Sequence, residues 1–210
     1  MTAMDAGTVL QVFAKAPVAG QVKTRLAVDI GEHAALQVHV QLVEAALERL
    51  GSCQMRKELW LSAPHRVSQG WSNLLGAQTF IQQGADLGHR MYHSLCAAVS
   101  EPNVSKVILV GTDCPDIDAA YVEQADARLR DHLTVFGPAE DGGYGLVGVQ
   151  TQHVHRVESA FKNMTWGHAQ VLSETCARLK QGNVSFDMLA PIWDVDRLAD
   201  WERYQQLGRD

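Results

Sequence analysis

The hydrophobic pattern alternates between short apolar runs and longer amphipathic stretches. Thr8–Ala14, "TVLQVFA", is a short apolar run bounded by Gly7 and Pro17, and its β-branched and aromatic content predicts a buried strand. Between Gly31 and Leu50, apolar residues recur every three or four positions, which predicts a helix with one apolar face. The residues assigned to that face are Leu36, Val40, Val43, Leu47 and Leu50. The chain therefore opens with a strand, a loop and a helix.

The same alternation continues along the rest of the chain. Further strands are predicted in "ELWLSAP", "QTFIQQ", "KVILVG" and on either side of the glycine-rich turn in "LTVFGPAEDGGYGLVGV". Helices are predicted in "GWSNLLG" (one turn), Leu87–Val99, "AAYVEQADARLRDH" and "TWGHAQVLSETCARLKQG", and a closing strand and amphipathic helix between Pro191 and Asp210. Strands that alternate with helices need crossover connections, which cover both faces of a mostly parallel sheet with helices. The predicted fold class is a three-layer α/β/α arrangement.

Composition adds limits on domain number, compartment and partners. With 210 residues, 46% of them hydrophobic, the chain can form one sizeable core, so residues 1–210 are predicted to be a single domain. The net charge of -6 provides no broad basic surface for nucleic acid or an anionic membrane, so any anion site is local. No apolar stretch approaches the roughly 20 residues that span a bilayer, and the first ten residues lack a signal-peptide pattern. Four scattered cysteines fit reduced thiols, and we expect a cytoplasmic protein.

A cluster of cations follows the first strand. The loop that begins at Ala14 contains Lys15, Gly20, Lys23 and Arg25, all close to Pro17 in the sequence. In open α/β sheets, ligands bind beyond the carboxyl ends of the strands, which is where this loop lies. The loop is therefore predicted to bind phosphates. The alternative is a solvated basic loop.

The clearest buried strand ends in a carboxylate. In "VILVGTDCPD", four apolar residues precede Gly111, and Asp113 emerges at the carboxyl end of the strand before Pro115 stops the ladder. A carboxylate in that position can bind Mg²⁺ or Mn²⁺, and such a cation can neutralise the phosphates of a nucleotide leaving group. Asp113 is therefore predicted as a metal ligand with a catalytic role. The alternative is that it caps a turn.

A second metal ligand is expected from the late segment "PIWDVDRLADW". Asp194 and Asp196 share one face if that segment is extended, because side chains repeat every second residue. One of them can complete the metal site with Asp113. The other can cap the helix that begins near Arg197, and the pattern does not assign the two roles.

The segment "GPAEDGGYG" combines a carboxylate with glycines. Asp141 precedes Gly142, Gly143 and Tyr144. Glycine permits close approach of a ligand to the backbone, while the carboxylate can bind hydroxyl groups or remove a proton. Asp141 is therefore a candidate catalytic residue, and the next three residues are candidates for substrate binding. The alternative is an ordinary hairpin turn, since "DGG" is good turn chemistry.

The segment "GADLGHRMYHSL" opens a predicted helix. Asp86 fits an N-cap, and Arg90 can reach a phosphate or point to solvent. His89 and His93 have the i,i+4 spacing that zinc can use, but the motif lacks a third ligand and zinc is not expected. Asp118, just before another helical stretch, fits an N-cap better than a ligand.

Five motifs, taken together, resemble one bacterial family in order and spacing. They are "FAKAPVAGQVKTRL", "GADLGHRM", "VGTDCPD", "GPAEDGGYGLVG" and "DVD" followed by a helix. The family is the DUF2064 group, described as glycosyltransferases of the nucleotide-diphospho-sugar transferase superfamily with a GT-A-like fold. Two positions depart from its pattern. Gly145 stands where a second aromatic residue is expected after Tyr144, and "TWGHAQV" stands where a Trp-Ser-Thr pattern is common.

The resemblance implies roles for the motifs. Asp113 corresponds to the metal-binding aspartate of the superfamily, and the loop with Lys15, Lys23 and Arg25 lies over the nucleotide. The resemblance also implies that the "DGG" segment faces the donor sugar or the acceptor, and that the "DVD" segment contributes near the metal. It implies a GT-A-like fold for the whole chain.

Three functions are compatible with these residues. The first is a metal-dependent glycosyltransferase that uses a nucleotide diphosphate sugar and a small-molecule acceptor. The second is a nucleotidyltransferase that joins a nucleoside triphosphate to a phosphorylated small molecule and releases pyrophosphate. It is favoured by "KAPVAGQVKTRL", which is similar to the loop of guanylyltransferases that act on phospholactate or phosphoenolpyruvate. The third is a nucleotide-binding module without catalysis.

Overall fold

A seven-stranded sheet forms the middle layer of the protein. The computed structural model describes residues 7–207. The strands are β1 Gly7–Ala14, β2 Arg56–Leu61, β3 Gln78–Ile81, β4 Val104–Gly111, β5 Thr134–Pro138, β6 Tyr144–Gln150 and β7 Phe186–Met188. Their order across the sheet is β3-β2-β1-β4-β6-β5-β7. Only the pairs of β6 with β4 and with β5 are antiparallel, which confirms the prediction of a mostly parallel sheet.

Helices cover both faces of this sheet. They are α1 Thr24–Ile30, α2 Glu32–Gly51, α3 Ser68–Leu75, α4 Leu87–Val99, α5 Ala119–Arg128, α6 Val171–Gln181 and α7 Leu198–Leu207, with a 3₁₀ helix at Thr151–Ala160. Alternate residues of β1 point to opposite faces, so Leu10 and Val12 join a core with α2, α3 and α5, while Val9 and Phe13 join a core with α4, the 3₁₀ helix and α6. The predicted three-layer fold is confirmed.

Three local predictions were only partly right; in the first, the helix and the burial of Val43, Leu47 and Leu50 are confirmed, but the rest of the face differs. The buried face of α2 includes Val38 and Leu42 and leaves Leu36 only partly buried, because α2 also packs against Leu26 of α1 and Trp193 near the end of the chain. The helix predicted from Thr165 begins only at Val171, after Gly167 adopts a positive φ of 83°. The closing strand lies at Phe186–Met188 instead of after Pro191, where Ile192 makes a single bridge with Ala139.

The sheet topology brings distant loops to one edge. β1 and β4 are parallel neighbours, so the basic loop after Ala14 and the loop with Asp113 leave the sheet side by side. β6 runs antiparallel to β4, and its first residues therefore lie beside the carboxyl end of β4, where Leu146 pairs with Val110. The β5–β6 loop thus reaches the same edge. Among the helices of residues 7–207, none combines the length and apolar composition needed to cross a bilayer.

Candidate active site

A cavity of about 500 Å³ opens at this edge of the sheet. Ten of the residues predicted for the site contribute to its wall: Ala14, Lys15, Lys23, Arg90, Asp113, Asp141, Gly143, Tyr144, Asp194 and Asp196. Gly20, Arg25 and Gly142, which were also predicted, are not among the residues of the wall. The volume falls within the range that small-molecule sites occupy, about 300–1,000 Å³.

Lys23 is held in an ion pair at the base of the cavity. It precedes α1 with φ 48° and ψ 42°, a left-handed conformation that is uncommon for a residue with a side chain. Its ammonium group donates hydrogen bonds to Asp113 Oδ1 and, over 2.6 Å, to the carbonyl oxygen of Val195. The side chain is 5% exposed. Lys23 was predicted as a phosphate ligand, and here its charge is neutralised by the predicted metal ligand.

Asp113 occupies the predicted position just beyond β4. Burial acts to raise the pKa of its carboxyl group, but the charge and hydrogen bond of Lys23 outweigh that effect and hold the pKa below its usual value. The side chain is 49% exposed, so the carboxylate is open to the cavity. Its backbone carbonyl accepts a hydrogen bond from the Val195 amide at 3.0 Å. Asp113 is therefore ionised, fixed by two neighbouring segments and accessible.

Arg25 and Asp196 form a second ion pair between the same two parts of the chain. Arg25 Nη1 donates to Asp196 Oδ2 over 2.7 Å. The sequence left open whether Asp194 or Asp196 caps the last helix. Instead, Asp200 accepts hydrogen bonds from the backbone amides of Asp196 and Arg197. Asp196 is thus engaged with the basic loop.

Asp194 carries a carboxyl group with a raised pKa. Burial, followed by the charges of Asp141, Asp196 and Asp113, raises its pKa to about 6. Four carboxylates therefore crowd this part of the wall, while Lys23 and Arg25 neutralise only Asp113 and Asp196. Such a surplus of negative charge favours binding of a cation.

The predicted set of three metal ligands does not form a ready-made site. Within residues 7–207, no group of three His, Cys, Asp or Glu side chains has an arrangement that could hold a metal ion. Two of the three predicted ligands, Asp113 and Asp196, are paired with Lys23 and Arg25. Mg²⁺, however, is commonly bound by one or two carboxylates together with substrate phosphates. Asp113 and Asp194, which both line the cavity, could hold a cation in that way together with substrate phosphates.

Two further cations face the cavity without a carboxylate partner. Among the described residues, neither Lys15 nor Arg90 has a carboxylate oxygen within 4 Å. Arg90 is anchored through Nε, which donates to the carbonyl oxygen of Gly84 over 3.2 Å and leaves its terminal nitrogens available. A Cβ at Gly84 would lie 2.7 Å from the backbone nitrogen of Arg90, so this approach requires glycine. Both cations are suited to bind an anion.

His39 is a wall residue that the sequence did not identify. It lies on α2, is 3% exposed, and its Nε2 is 3.0 Å from the carbonyl oxygen of Lys15. Because a carbonyl only accepts, Nε2 carries the proton in this contact. Burial lowers the pKa of the imidazole. The one available signal was a polar residue next to the predicted apolar face, and it gave no hint of the contact with the basic loop.

The β5–β6 loop, which contains "DGG", forms a hairpin turn and also lines the cavity. Gly142 N–H donates to the Ala139 carbonyl and Gly143 N–H donates to Asp141 Oδ1, as in a hairpin turn. Asp141 also lines the cavity. Gly142 has φ 87°, and a Cβ there would lie 2.1 Å from the carbonyl oxygen of Ala169. Gly142 therefore docks the segment before α6, which explains why it does not contribute to the wall.

Tyr144 and Gly145 contribute to the wall of the cavity and pack against residues outside it. The ring of Tyr144 packs edge-on against Phe136 and Trp166, with ring centroids 5.1 and 6.3 Å apart, and its hydroxyl is buried. Tyr144 was predicted to bind substrate, but its hydroxyl does not face the cavity. A Cβ at Gly145 would lie 2.8 Å from Cys114 Sγ. An aromatic residue does not fit there, which accounts for one departure from the family pattern.

The second departure also reaches the cavity. Trp166, Gly167 and His168 belong to "TWGHAQV", and all three contribute to the wall. The backbone N–H of Gln170 donates to His168 Nδ1 over 3.2 Å. These residues were noted only as deviations in the sequence. Their place in the wall depends on the docking of Ala169 on Gly142, a contact that no local pattern indicates.

The remaining predicted residues have structural roles. Gly20 turns the basic loop with φ 74°, and a Cβ there would lie 3.3 Å from the carboxylate of Glu32. Asp86 and Asp118 accept N-cap hydrogen bonds at the starts of α4 and α5, as predicted. In the predicted His pair, His89 contacts Asp86, while His93 lies edge-on to Trp60.

The sequence matches a protein family over its central part. Residues 46–168, more than half of the chain, match the family described as "Uncharacterized protein conserved in bacteria (DUF2064)". The chain belongs to the DUF2064 family. This membership confirms the family that the motifs indicated. No protein with a curated description matches the sequence.

Several solved structures share the fold. A protein of Desulfovibrio desulfuricans G20, provisionally named a nucleotide-diphospho-sugar transferase, is 26% identical with a TM-score of 0.86, over 97% of this chain and 88% of that one. A CMP:2-keto-3-deoxy-manno-octonic acid synthetase bound to CTP is 13% identical, with a TM-score of 0.63 over 97% and 98% of the two chains.

A cytidylyltransferase of Leptospira borgpetersenii is 14% identical, with a TM-score of 0.60 over 96% of this chain and 85% of that one. At these identities, the synthetase and the cytidylyltransferase are evidence for the fold alone. The predicted nucleotide-diphospho-sugar transferase fold is thereby confirmed. The predicted enzyme class, a transferase, agrees with the D. desulfuricans neighbour.

Proposed function

We propose that this protein is a transferase for nucleotide-activated small molecules, and that it transfers a sugar from a nucleotide diphosphate sugar to a small-molecule acceptor. One observation carries the proposal. The free cations Lys15 and Arg90 face the same cavity as the carboxylates Asp113 and Asp194, at the carboxyl edge of a mostly parallel sheet. The name given to the D. desulfuricans neighbour supports a nucleotide diphosphate sugar as donor.

The diphosphate of the donor binds on the basic side of the cavity. Arg90 offers its terminal nitrogens from a helix, with Nε already fixed by Gly84. A guanidinium held in this way suits bidentate contact with phosphate oxygens. Lys15 adds a second charge from the end of β1, where the contact of its carbonyl with His39 holds the backbone.

A divalent cation, Mg²⁺ or Mn²⁺, is proposed at Asp113 and Asp194. When bound, it would neutralise charge on the departing diphosphate. Asp113 is suited to this role because it is ionised and half-exposed. Asp194 is suited because its carboxyl group lies among three others whose repulsion a cation relieves.

Asp141 is proposed to contact the acceptor. Oδ1 of Asp141 accepts a hydrogen bond from the backbone N–H of Gly143, and this bond orients the carboxylate. The Asp141 side chain also lines the cavity. A fixed carboxylate with a free oxygen can accept the proton of an attacking hydroxyl group. The aromatic ring of Trp166 forms a further part of the wall against which an acceptor can pack.

The number of cations also favours a second candidate, nucleotidyl transfer. Lys23 lies on the same loop as Lys15 and Arg25 lies in the first turn of α1, so that with Arg90 four cations are in or next to the cavity, two of them paired with carboxylates. Four cations suit a triphosphate better than a sugar diphosphate, because a triphosphate carries more negative charge. In this reaction, a phosphorylated acceptor would attack the triphosphate and pyrophosphate would leave.

Two assays test these candidates. A panel of nucleotide diphosphate sugars with Mn²⁺ is monitored for donor hydrolysis and transfer, and a panel of nucleoside triphosphates with phosphorylated acceptors is monitored for pyrophosphate. We expect turnover in the first panel, abolished in Asp113→Ala and retained in Asp131→Ala, a control at an exposed aspartate outside the cavity. Pyrophosphate release alone would establish the second candidate. Nucleotide binding without turnover in either panel would favour a binding module.

A further inference from the structure

We infer that Arg203 of helix α7 is a positioning residue that fixes Asp141 and Asp194 relative to each other. The inference rests on the proposed function, since it concerns how two carboxylates of that site are held. Arg203 is not among the residues of the cavity wall, so it acts through its neighbours. Those neighbours are Glu140 and Trp193, each of which directly precedes one of the two aspartates in the chain.

The guanidinium group of Arg203 makes both contacts. Its Nη1 donates to Glu140 Oε2 over 2.9 Å, and its Nη2 donates to Glu140 Oε1 over 3.4 Å. The central carbon of the same group lies 4.1 Å from the centroid of the Trp193 ring, within the range of a cation–π interaction. Because the guanidinium is planar and its donors have a fixed geometry, the two-point contact with Glu140 orients that carboxylate relative to the ring.

The two neighbours of Arg203 belong to segments that run side by side up to this point. The N–H of Ile192 donates to the Pro138 carbonyl over 2.8 Å, and the N–H of Glu140 donates to the Ile192 carbonyl over 2.9 Å. Among the described residues, no backbone hydrogen bond joins residues 141–143 with residues 193–196. The two aspartates therefore lie just beyond the last backbone bond between their segments, where side-chain contacts determine their separation.

Electrostatic repulsion acts between the two aspartates. Burial and then the charge of Asp141 raise the pKa of Asp194, so the two carboxylates are close enough to repel each other. Arg203 pairs with the residue before Asp141 and packs on the residue before Asp194. It thereby opposes a separation of the two segments that the backbone hydrogen bonds do not prevent.

Helix α7 is held in place by contacts other than those of Arg203. The rings of Trp201 and Tyr204 stack with centroids 5.6 Å apart, and both pack, partly buried, against a core that includes Leu26 of α1. Asp200 accepts hydrogen bonds from two backbone amides just before the helix. The Arg203 side chain is 49% exposed. Its replacement should therefore leave the helix docked and change only the contact with the two segments.

The first experiment measures amide hydrogen exchange by NMR without any ligand. Arg203→Met should raise the exchange rates of the Glu140 and Ile192 amides about three- to tenfold, because it removes an ion pair and a cation–π contact that hold the segments together. The amides of β4 should exchange as in the wild type. Arg130→Met, at an exposed arginine outside the cavity, is the matched control and should change none of these rates. Unchanged rates in Arg203→Met would overturn the inference.

The second experiment measures steady-state kinetics with the donor and acceptor that show turnover. Arg203→Met should lower kcat on the order of tenfold, because displaced reacting groups lose rate. KM for the donor should change by no more than about twofold, since the proposed phosphate contacts, Lys15 and Arg90, do not depend on Arg203. Arg203→Lys keeps the charge and should restore part of kcat. A general loss of structure would instead raise KM as well and would not be rescued by lysine.

Glu140→Gln tests whether Arg203 acts through its carboxylate partner. The Glu140 side chain is 57% exposed, so this variant should remain folded, and thermal unfolding verifies the fold of every variant. Glu140→Gln should also lower kcat, and the double variant with Arg203→Met should be no slower than Arg203→Met alone. Additive losses would show that the two residues act independently and would overturn the inference.

The outcomes separate this inference from the proposed function. Turnover with the same kcat in Arg203→Met and the wild type would overturn the positioning role and leave the proposed function in place. Turnover with neither panel of substrates would overturn both, whatever the exchange rates show.

Discussion

The imidazole Nε2 of His39 lies 3.0 Å from the carbonyl oxygen of Lys15, so helix α2 holds the loop that carries the cations of the site. The contact requires a proton on Nε2, and burial lowers the pKa of the ring, although the hydrogen bond to the Lys15 carbonyl acts in the opposite direction. A helix residue that is far from any predicted motif thus fixes the start of the phosphate-binding loop.

The burial of His39 predicts a pH dependence of stability. The pKa of His39 is lower in the folded protein than in the unfolded chain, so the unfolded chain binds more protons as the pH falls below about 6.5. The stabilising effect is present above that pH and is lost as the pH falls through the folded-state pKa. We expect the unfolding temperature of His39→Gln to change less than that of the wild type between pH 7.5 and 5. Thermal unfolding at several pH values measures this difference.

His33→Gln is the matched control for that measurement. His33 is an exposed histidine on the same helix, so its replacement removes a histidine without changing the buried ring. The control should therefore keep the pH dependence of the wild type. A His39→Gln variant with the same dependence as His33→Gln would contradict the assignment of the acid sensitivity to the buried ring.

Gly142→Ala is predicted to be strongly destabilising. A Cβ would lie 2.1 Å from the Ala169 carbonyl oxygen, at a residue with φ 87°. Steric strain and the unfavourable backbone conformation should together cost about 2–4 kcal/mol of the free energy of unfolding. Urea denaturation measures the loss. Gly70→Ala in α3, where a Cβ would meet nothing within 4 Å, should be neutral or stabilising by about 0.5–1 kcal/mol. Similar stabilities for the two variants would refute this role of Gly142.

Arg90 is predicted to affect ligand affinity without affecting stability. Arg90→Met should weaken binding of pyrophosphate with Mn²⁺ by on the order of tenfold or more, because hydrogen bonds to charged groups contribute about 1.5–3 kcal/mol. Arg90→Lys should give an intermediate affinity, since a lysine keeps the charge but not the planar donors. Calorimetry measures the affinities, with Arg66→Met as a control at an exposed arginine outside the cavity. An Arg90→Met variant with unchanged affinity would exclude Arg90 from the site.

Asp194 and Asp196 are predicted to respond differently to the same substitution. Asp194 lies among other carboxylates and, within residues 7–207, has no cation in an ion pair with it, whereas Asp196 is paired with Arg25. In EDTA at pH 7.5, Asp194→Asn should raise the unfolding temperature by about 2–4 °C, which corresponds to roughly 1 kcal/mol after allowance for partial exposure. Asp196→Asn should give no increase.

The same two variants also test the metal site. Asp194→Asn should weaken Mn²⁺ binding, so that stability and ligand affinity change in opposite directions, as is common for functional residues. Fluorescence-monitored melting with and without Mn²⁺ detects both effects. Stabilisation of both variants alike would show that the repulsion is not concentrated on Asp194.

The sequence predicted correctly those features of the fold whose position depends on residues that are close together in the chain. The run Val107–Val110 fixes a buried strand, and the parallel topology then sends Asp113 to the same edge as the loop after Ala14. The N-caps Asp86 and Asp118 were also predicted correctly from the sequence, because capping depends on a few neighbouring residues.

Contacts between distant segments could not be predicted. The pairing of Lys23 with Asp113 joins residues 90 positions apart, and it changes a free phosphate ligand into the partner of a carboxylate. His39 was missed because its partner is a backbone carbonyl of another element. The late start of α6 depends on Gly167 and on the contact of Ala169 with Gly142. In each case, the deciding contact is tertiary.

The two hydrogen bonds that join Lys23 and Arg25 to the segment with Val195 and Asp196 have a consequence for synthesis of the chain. Lys23 meets the Val195 carbonyl 172 positions later, and Arg25 meets Asp196 after 171 positions. During translation, Lys23 and Arg25 emerge from the ribosome well before Val195 and Asp196, whereas Asp113 follows Lys23 after 90 positions. A chain that is cut before residue 194 can still contain β1 to β7, but it leaves Arg25 without its counter-ion. The contacts of Lys23 with Val195 and of Arg25 with Asp196 can therefore form only after all seven strands, β1 to β7, have been synthesised.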